Sequence, residues 1–205
     1  MNIYPICYFP PVSWFAAAIR EKNLTVEVWQ HFRKQQYTNR AFIRVANRTL
    51  PLTIPVERRG DKVPIREKKI SQAEPWAGNH WRTLVNAYRN APYFEFYESR
   101  LEKFFQQEFI YLTDLLTASL DLSQEILGIE LNISYTEAYF PEAHYGRDFR
   151  QSFDPSLQTL PEWFLVVPYT QVFDGFVPGL SILDMAFNLG PESRLFLRQS
   201  YQSGE

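Results

Sequence analysis

The first part of the chain reads as a strand, a helix and a strand, and this order constrains the fold most. Residues 2–9 predict a strand, and residues 13–22 predict a helix with Ser13 as its N-cap. Residues 24–30 alternate with period two and are rich in β-branched side chains, which is typical of a second strand. Two strands joined by one helix form a βαβ unit, in which the strands run parallel.

Further strands and helices follow along the chain. Residues 40–45 and 50–56 predict a hairpin with Asn47 in its turn. Residues 129–135 and 163–167 predict two more strands. Helical spacing of apolar residues, with proline and glycine at the ends, predicts helices over 79–90, 93–107, 111–127, 180–188 and 191–198.

The predicted fold is therefore α/β, with a small, mostly parallel sheet, a β-hairpin and covering helices. A length of 205 residues fits a single domain over residues 1–205. The lone cysteine, Cys7, excludes an intramolecular disulfide and is typical of a reducing compartment. We find no signal peptide pattern and no apolar run long enough to span a bilayer, so we expect a cytoplasmic protein without a membrane span.

Charge is unevenly distributed along the chain, although the net charge is only −2. Residues 33–69 contain 11 basic and 3 acidic side chains, whereas residues 95–137 contain 2 basic and 9 acidic ones. This asymmetry indicates an anionic ligand or docking of one segment against the other, and the alternative is two solvated faces that partly pair. An isoelectric point near 6.0 argues against nucleic acid as a partner.

The sequence lacks the strong signatures of nucleotide, hydrolase and zinc sites. It contains no G-x-G-x-x-G, no P-loop and no G-x-S-x-G, and eight glycines leave little material for a phosphate cradle. The three histidines, His31, His80 and His144, have no Cys or His partner at metal-ligand spacing, which argues against a closed zinc site. An oxygen-rich site built from carboxylates stays open, and the sequence does not identify a cofactor.

The first polar cluster, residues 30–40, directly follows a predicted strand. In α/β sheets ligands bind at the carboxyl ends of strands, and these cations, amides and phenol suit a phosphorylated or hydroxyl-rich ligand. His31 is a candidate base here, and the alternative role of the segment is a solvated shoulder of the hairpin. The candidate ligand contacts are Lys34, Gln35, Tyr37, Asn39 and Arg40.

The second polar cluster lies at the start of the helix predicted over 79–90. His80 stands near the helix N-terminus, where the helix dipole favours a neutral imidazole that can act as a base. Arg82 and Tyr88 are candidate ligand contacts on this helix, and we expect the two clusters to form one site. The alternative role of His80 is packing on Trp81.

Cys7 is a third candidate, because it follows the first predicted strand. A nucleophilic cysteine needs a base, and His31 ends the neighbouring strand. The alternative is a buried and inert thiol.

Five blocks occur in order along the chain: Tyr8-Phe9-Pro10-Pro11-Val12-Ser13-Trp14-Phe15, then Lys34-Gln35-x-Tyr37-x-Asn39-Arg40, then Leu52-Thr53-Ile54-Pro55-Val56, then Trp76-x-x-x-His80-x-x-x-Leu84-x-x-Ala87-Tyr88-x-x-Ala91-Pro92-Tyr93-Phe94, and finally Gln171 with Phe176-x-Pro178-x-Leu180-Ser181-Ile182-Leu183-Asp184. Together these blocks resemble the WbqC-like family of bacterial proteins. We expect Asp184 to be a cap or a buried carboxylate of the closing helix.

The resemblance implies an enzyme or ligand-binding protein of bacterial surface-polysaccharide metabolism, because members are often encoded among genes for O-antigen and amino-sugar pathways. It implies acyl or aminoacyl transfer to a sugar, with an anionic small molecule such as a nucleotide sugar or an acyl donor as ligand. The alternative is a non-catalytic interaction protein that docks an acidic partner through the basic segment 33–69.

Overall fold

The N-terminal βαβ unit is present and its strands are parallel. Our computed structural model describes residues 2–58, 62–141, 146–155 and 159–202. Strand β1 (Asn2–Pro5) leads into helix α1 (Val12–Ala18), which leads into strand β2 (Leu24–Glu27). The two strands pair parallel, with Asn2 opposite Leu24 and Pro5 opposite Glu27. All seven residues of α1 are buried, so this helix lies inside the protein.

Two strands later in the chain complete the hairpin, which lies outside the parallel sheet. Strand β3 (Arg40–Val45) and strand β4 (Arg48–Thr53) pair antiparallel around a turn at Ala46 and Asn47. The hairpin is joined to the rest of the protein by the backbone, because Ser181 donates from its N–H to the carbonyl of Phe42 at 2.7 Å.

A third parallel strand, β5 (Ile133–Tyr135), pairs with the free side of β2 and gives the order β1-β2-β5. The predicted α/β class, with a mostly parallel sheet, a hairpin and covering helices, is confirmed. Because all three strands run the same way, their carboxyl ends lie at one edge of the sheet, where α/β proteins bind ligands.

The other helices pack around this framework and close the core. They are α2 (Trp76–Tyr88), α3 (Phe94–Phe105), α4 (Leu112–Leu127), α5 (Ile182–Leu189) and α6 (Ser193–Gln199). Two 3-10 turns add to them, Ile65–Glu67 and Gly190–Glu192. Among the described residues, none of the helices combines the length and apolarity needed to cross a membrane.

Several element boundaries differ from the predictions. Helix α1 begins at Val12 after Pro11, so Ser13 is not its N-cap. Helix α2 begins at Trp76 after Pro75, earlier than the predicted start at residue 79. The fixed φ of proline is compatible with a helix start. The N–H that proline lacks would have no intrahelical acceptor at this end of the helix.

The strand predicted over 163–167 is wrong. Phe164 forms only an isolated bridge with Tyr201, and Leu165 is 49% exposed. An apolar run becomes a strand only where neighbouring strands accept its backbone, and among the described residues just one short segment lies alongside.

Aromatic rings fill much of the core beneath the sheet. Tyr4 of β1 stacks on Phe149 with ring centroids 4.6 Å apart, and its other contact is edge-on with Trp14 of α1 at 5.5 Å. Offset and edge-on pairs of this kind add about 0.5–1.5 kcal/mol each beyond the area they bury. These contacts tie residue 149 and the loop around it to the first strand.

Gly190 is the glycine whose replacement we expect to cost most stability. It has a φ of +52°, and a Cβ added there would clash with the ring of Tyr93. We expect Gly190→Ala to lower the free energy of unfolding by about 1–3 kcal/mol or more, measured by urea denaturation. The control is Gly78→Ala in α2, where nothing lies within 4 Å of the added Cβ. That change should stabilise by about 0.5–1 kcal/mol, and equal effects at both positions would contradict the argument.

Candidate functional site

A cavity of about 270 Å³ lies at the edge of the parallel sheet where β1 and β2 end. We call it the strand-end cavity. Its wall begins with the last residue of β1 and continues with residues that directly follow β2. It is lined by Pro5, Cys7, Trp29, Gln30, His31, Arg33, Gln36, Tyr37, Thr38, Tyr139, Arg150, Gln151, Phe153 and Asp154.

The buried carboxylate of Glu27, the last residue of β2, holds the chain that forms this wall. Its Oε1 accepts hydrogen bonds from the backbone N–H of Trp29 at 2.6 Å and of Gln30 at 3.2 Å. The same oxygen accepts from the hydroxyl of Thr136, just beyond β5, at 2.9 Å. One carboxylate therefore sets the path of the chain after β2 and joins it to the neighbouring strand.

Arg150 completes the buried charge cluster from the other side of the cavity. Its Nη1 donates to Oε2 of Glu27 at 3.3 Å, and its Nε donates to Oδ2 of Asp148 at 2.9 Å. Nη1 also donates to the carbonyl of Phe140, and the guanidinium lies 5.2 Å from the ring centroid of Tyr139. A buried arginine held by two carboxylates has a defined position, so it is a rigid part of the cavity wall.

Trp29 contributes a polar atom that the fold itself does not use. Its indole Nε1 is buried, and it has no hydrogen-bond partner among the described residues. An indole N–H can only donate, and leaving a buried donor unpaired costs about 1–3 kcal/mol. Such a donor in a cavity wall is suited to an oxygen of a bound molecule.

The predicted loop 30–40 does reach the strand-end cavity, but through different side chains than expected. Of the candidates there, His31 and Tyr37 line it, and burial raises the pKa of Tyr37 to about 12. Lys34 and Gln35 are exposed outside its lining, with Gln35 in the left-handed region at φ +66°.

The last two candidates of this loop also lie away from the cavity lining. Asn39 is buried, and its amide Nδ2 donates to the carbonyl of Ile54 at 3.3 Å. Arg40 is the first residue of β3, opposite Thr53. Both residues therefore serve the start of the hairpin in this structure.

His80 lies in the core rather than at the cavity. Its Nε2 is 3.2 Å from the carbonyl of Thr53, which can only accept, so Nε2 carries the proton. Its Nδ1 is then the acceptor for the hydroxyl of Tyr8 at 3.1 Å. Both ring nitrogens are occupied, and burial, rather than the helix dipole we expected, lowers the pKa of His80 to about 4.

The other candidates of the second cluster also lie away from the cavity. Arg82 is exposed and donates from Nη2 to the side chain of Asn79 at 2.6 Å. Tyr88 is fully buried, and its hydroxyl donates to Oδ1 of Asp184 at 2.8 Å. The structure therefore does not bring the two predicted clusters together at one site.

Asp184 is the centre of a second buried cluster, as a buried carboxylate of α5. Besides the bond from Tyr88, its Oδ2 accepts from the hydroxyl of Tyr169 at 2.7 Å and from Nε2 of Gln171 at 2.9 Å. Burial raises the pKa of Asp184, and these three donors oppose that shift by stabilising the charged form. The cap of α5 is Ser181, whose Oγ accepts from the N–H of Leu183.

Cys7 lines the cavity, but its thiol is not activated. It is 2% exposed, it donates to the carbonyl of Pro5 at 3.6 Å, and burial raises its pKa. A thiol that stays protonated is a poor nucleophile, which favours the inert alternative.

The residues that sequence reasoning missed come from two places. Arg33 and Gln36 belong to the predicted loop but were not selected, and Gln36 donates from Nε2 to Asp154 at 3.2 Å. Tyr139, Arg150 and Asp154 come from residues 136–162, which no predicted strand or helix covers. The one signal there is the placement of charged residues next to Phe149 and Phe153, which are buried and anchor the segment.

Metal ligation has no support in the part of the chain that the structure describes. No three side chains among its His, Cys, Asp and Glu residues lie close enough together to hold an ion. His144 lies outside the described residues.

The low pKa of His80 predicts a specific loss of stability in acid. An unfolded chain binds a proton on this imidazole below about pH 6.5, whereas the folded protein binds it only below about pH 4. The contribution is therefore complete above pH 6.5 and falls by about 3 kcal/mol as the pH drops towards 4. We expect His80→Gln to flatten this part of the pH profile of urea denaturation. The control is Asn86→Gln, at an exposed position of α2, and an unchanged profile in His80→Gln would contradict the assignment.

Comparison with known proteins gives a match to one protein-family model. No curated protein and no solved structure matches the chain. A model of the WbqC-like protein family matches residues 7–151 and 160–195, and these ranges contain the buried groups around Glu27, His80 and Asp184 and most of the cavity lining. Because the match covers well over half of the chain, this protein belongs to the WbqC-like protein family.

Proposed function

We propose that the protein binds an anionic, hydroxyl-rich small molecule in the strand-end cavity and acts in bacterial surface-polysaccharide metabolism. The observation that carries this proposal is the cavity itself, placed where two parallel strands end. Family membership is consistent with a polysaccharide-associated role. The ligand class we propose is a nucleotide sugar or an acyl donor.

The cavity wall offers each kind of contact that such a ligand needs. Arg33 is an exposed cation at the wall and suits a phosphate or carboxylate. The amides of Gln30 and Gln36 donate to and accept from hydroxyl groups, and the indole N–H of Trp29 is a further donor. Tyr139 is 58% exposed beside Arg150 and presents an aromatic ring surface.

For the chemical step we propose His31, rather than His80, as the general base. His31 is exposed at the cavity wall, whereas both nitrogens of His80 are engaged in the core. In acyl or aminoacyl transfer to a sugar, His31 would take the proton of the acceptor hydroxyl as its oxygen bonds to the acyl carbon. The bond to the donor's leaving group then breaks, and the leaving group departs with the electron pair and takes the proton from His31.

One observation supports the alternative, a non-catalytic docking protein. The ion pairs between described residues are Arg100–Glu125, Arg150–Glu27 and Arg150–Asp148, and none joins the basic segment 33–69 to the acidic stretch. Several cations of that segment are exposed and accessible to an acidic partner, such as Arg58 and Lys62.

Ligand binding is tested by thermal melts against nucleotide sugars, acyl-coenzyme A compounds and amino acids. A molecule that binds only the folded state raises the melting temperature, and we expect a nucleotide sugar or an acyl donor to do so. Arg33→Ala should reduce that shift, because it removes a charged hydrogen bond worth about 1.5–3 kcal/mol.

The control is Arg48→Ala, an exposed arginine of the same basic segment outside the cavity lining. It should keep the full shift, and both variants should melt like the wild type without ligand. No shift with any compound, together with a stably co-purifying acidic protein, would replace this proposal with the docking alternative.

The role of His31 is tested in a transfer assay with whichever donor shifts the melt. We expect His31→Gln to lower kcat about 10²–10⁴-fold, because a general base is lost, while the donor still shifts the melting temperature. The comparison is Lys34→Gln, an exposed neighbour outside the lining, which should keep kcat within a few-fold. Equal losses of kcat in the two variants would contradict the role of His31 as general base.

A further inference from the structure

A second concave surface adjoins the strand-end cavity and shares Trp29 with it. It is a groove of about 540 Å³ between the end of the sheet and the start of α4, within the roughly 300–1,000 Å³ typical of small-molecule sites. We call it the α4 groove. Trp29 lines both surfaces, and its buried Nε1 has no partner among the described residues.

The strand order explains why the two surfaces are neighbours. The strand-end cavity lies beyond β1 and β2, and the α4 groove includes Val28, just after β2, and Tyr135, the last residue of β5. Both surfaces therefore lie at the carboxyl edge of one parallel sheet, the usual place for ligands in α/β proteins. Trp29 is the residue that the two linings share.

The groove has rigid walls. The backbone N–H of Arg66 donates to the carbonyl of Val28 at 2.9 Å, and its guanidinium lies 5.5 Å from the ring centroid of Trp29. The hydroxyl of Thr113, in the first turn of α4, donates to the carbonyl of Ile65 at 3.1 Å. The 3-10 turn Ile65–Glu67 is thus fixed to the sheet on one side and to α4 on the other.

The chemistry of the groove differs from that of the cavity. Its charged lining residues are Arg66 and two carboxylates, Glu67 and Asp114, and a phosphate would meet more negative than positive charge there. Carboxylates form strong hydrogen bonds with hydroxyl donors. Hydroxyl groups and aromatic rings supply the rest of the wall, from Thr113, Thr117, Tyr111 and Tyr135.

We propose that the α4 groove is a second subsite that takes an uncharged carbohydrate, a pyranose ring, beside the anionic ligand of the strand-end cavity. This proposal rests on the proposed function, in which that ring is the acceptor. The carboxylates accept hydrogen bonds from ring hydroxyls, and the Trp29 and tyrosine rings cover its apolar face. The two ligands then meet at Trp29, and the contrast in charge keeps each in its own subsite.

The test uses methyl pyranosides of glucose, galactose, mannose and N-acetylglucosamine as probes, detected by saturation-transfer NMR with the full chain. We expect at least one probe to bind. Asp114→Asn should weaken it about tenfold, because the loss of a charged acceptor is worth about that factor. Asp174→Asn, an exposed aspartate of a loop outside the groove, is the matched control and should keep the affinity.

Two further variants decide where the probe lies. Arg33→Ala should leave pyranoside binding unchanged, because Arg33 lines only the strand-end cavity. Trp29→Phe should weaken the pyranoside several-fold, because a smaller ring covers less of the apolar face of the sugar. Binding that survives Asp114→Asn, or that disappears in Arg33→Ala, would overturn the proposal.

The outcome is distinguishable from failure of the proposed function. If no pyranoside binds while a nucleotide sugar or acyl donor still raises the melting temperature, the α4 groove proposal is contradicted and ligand binding in the strand-end cavity is supported. If pyranoside binding depends on Asp114 and no anionic compound raises the melting temperature, the α4 groove proposal is supported and the proposed anionic ligand of the cavity is contradicted.

Discussion

The buried carboxylate of Glu27 is the interaction on which the candidate site depends. It stands at the end of β2, where a strand leaves the sheet and its backbone groups need new partners. Its two oxygens accept from the chain after β2, from Thr136 beyond β5 and from Arg150 across the cavity. A carboxylate with no exposure needs such partners to offset the cost of its burial, so the loop, the strand and the arginine hold one another in place.

Two other buried clusters hold the layers around the site, and they use the residues through which the chain resembles its family. His80 joins Tyr8, from the connection after β1, to Thr53 at the end of the hairpin. Asp184 joins α5 to Tyr88 of α2 and to the loop at Gln171. Residues of the family blocks, which look like active-site residues in the sequence, therefore form buried hydrogen bonds between distant segments. The cavity wall consists largely of other residues.

The strand-end cavity and the α4 groove differ in charge because different segments of the chain form their walls. The cavity takes Arg33 from the basic segment and His31 from just before it, whereas the groove takes Asp114 from the first turn of the acidic α4. The two oppositely charged segments of the chain meet at Lys68 and Leu112 through a backbone hydrogen bond of 2.8 Å. Trp29 stands at the boundary, so one sheet edge presents two neighbouring surfaces with different charge.

Local sequence determined the βαβ unit, the hairpin and the helices, because apolar period and turn residues act over a few positions. It also placed the loop after β2 at the ligand-binding edge, since that follows from parallel pairing alone. Only the tertiary structure decided that His80 is buried, that Arg150 lies across from Glu27, and that the run at 163–167 is no strand. Those outcomes depend on contacts between residues tens of positions apart, which no local periodicity encodes.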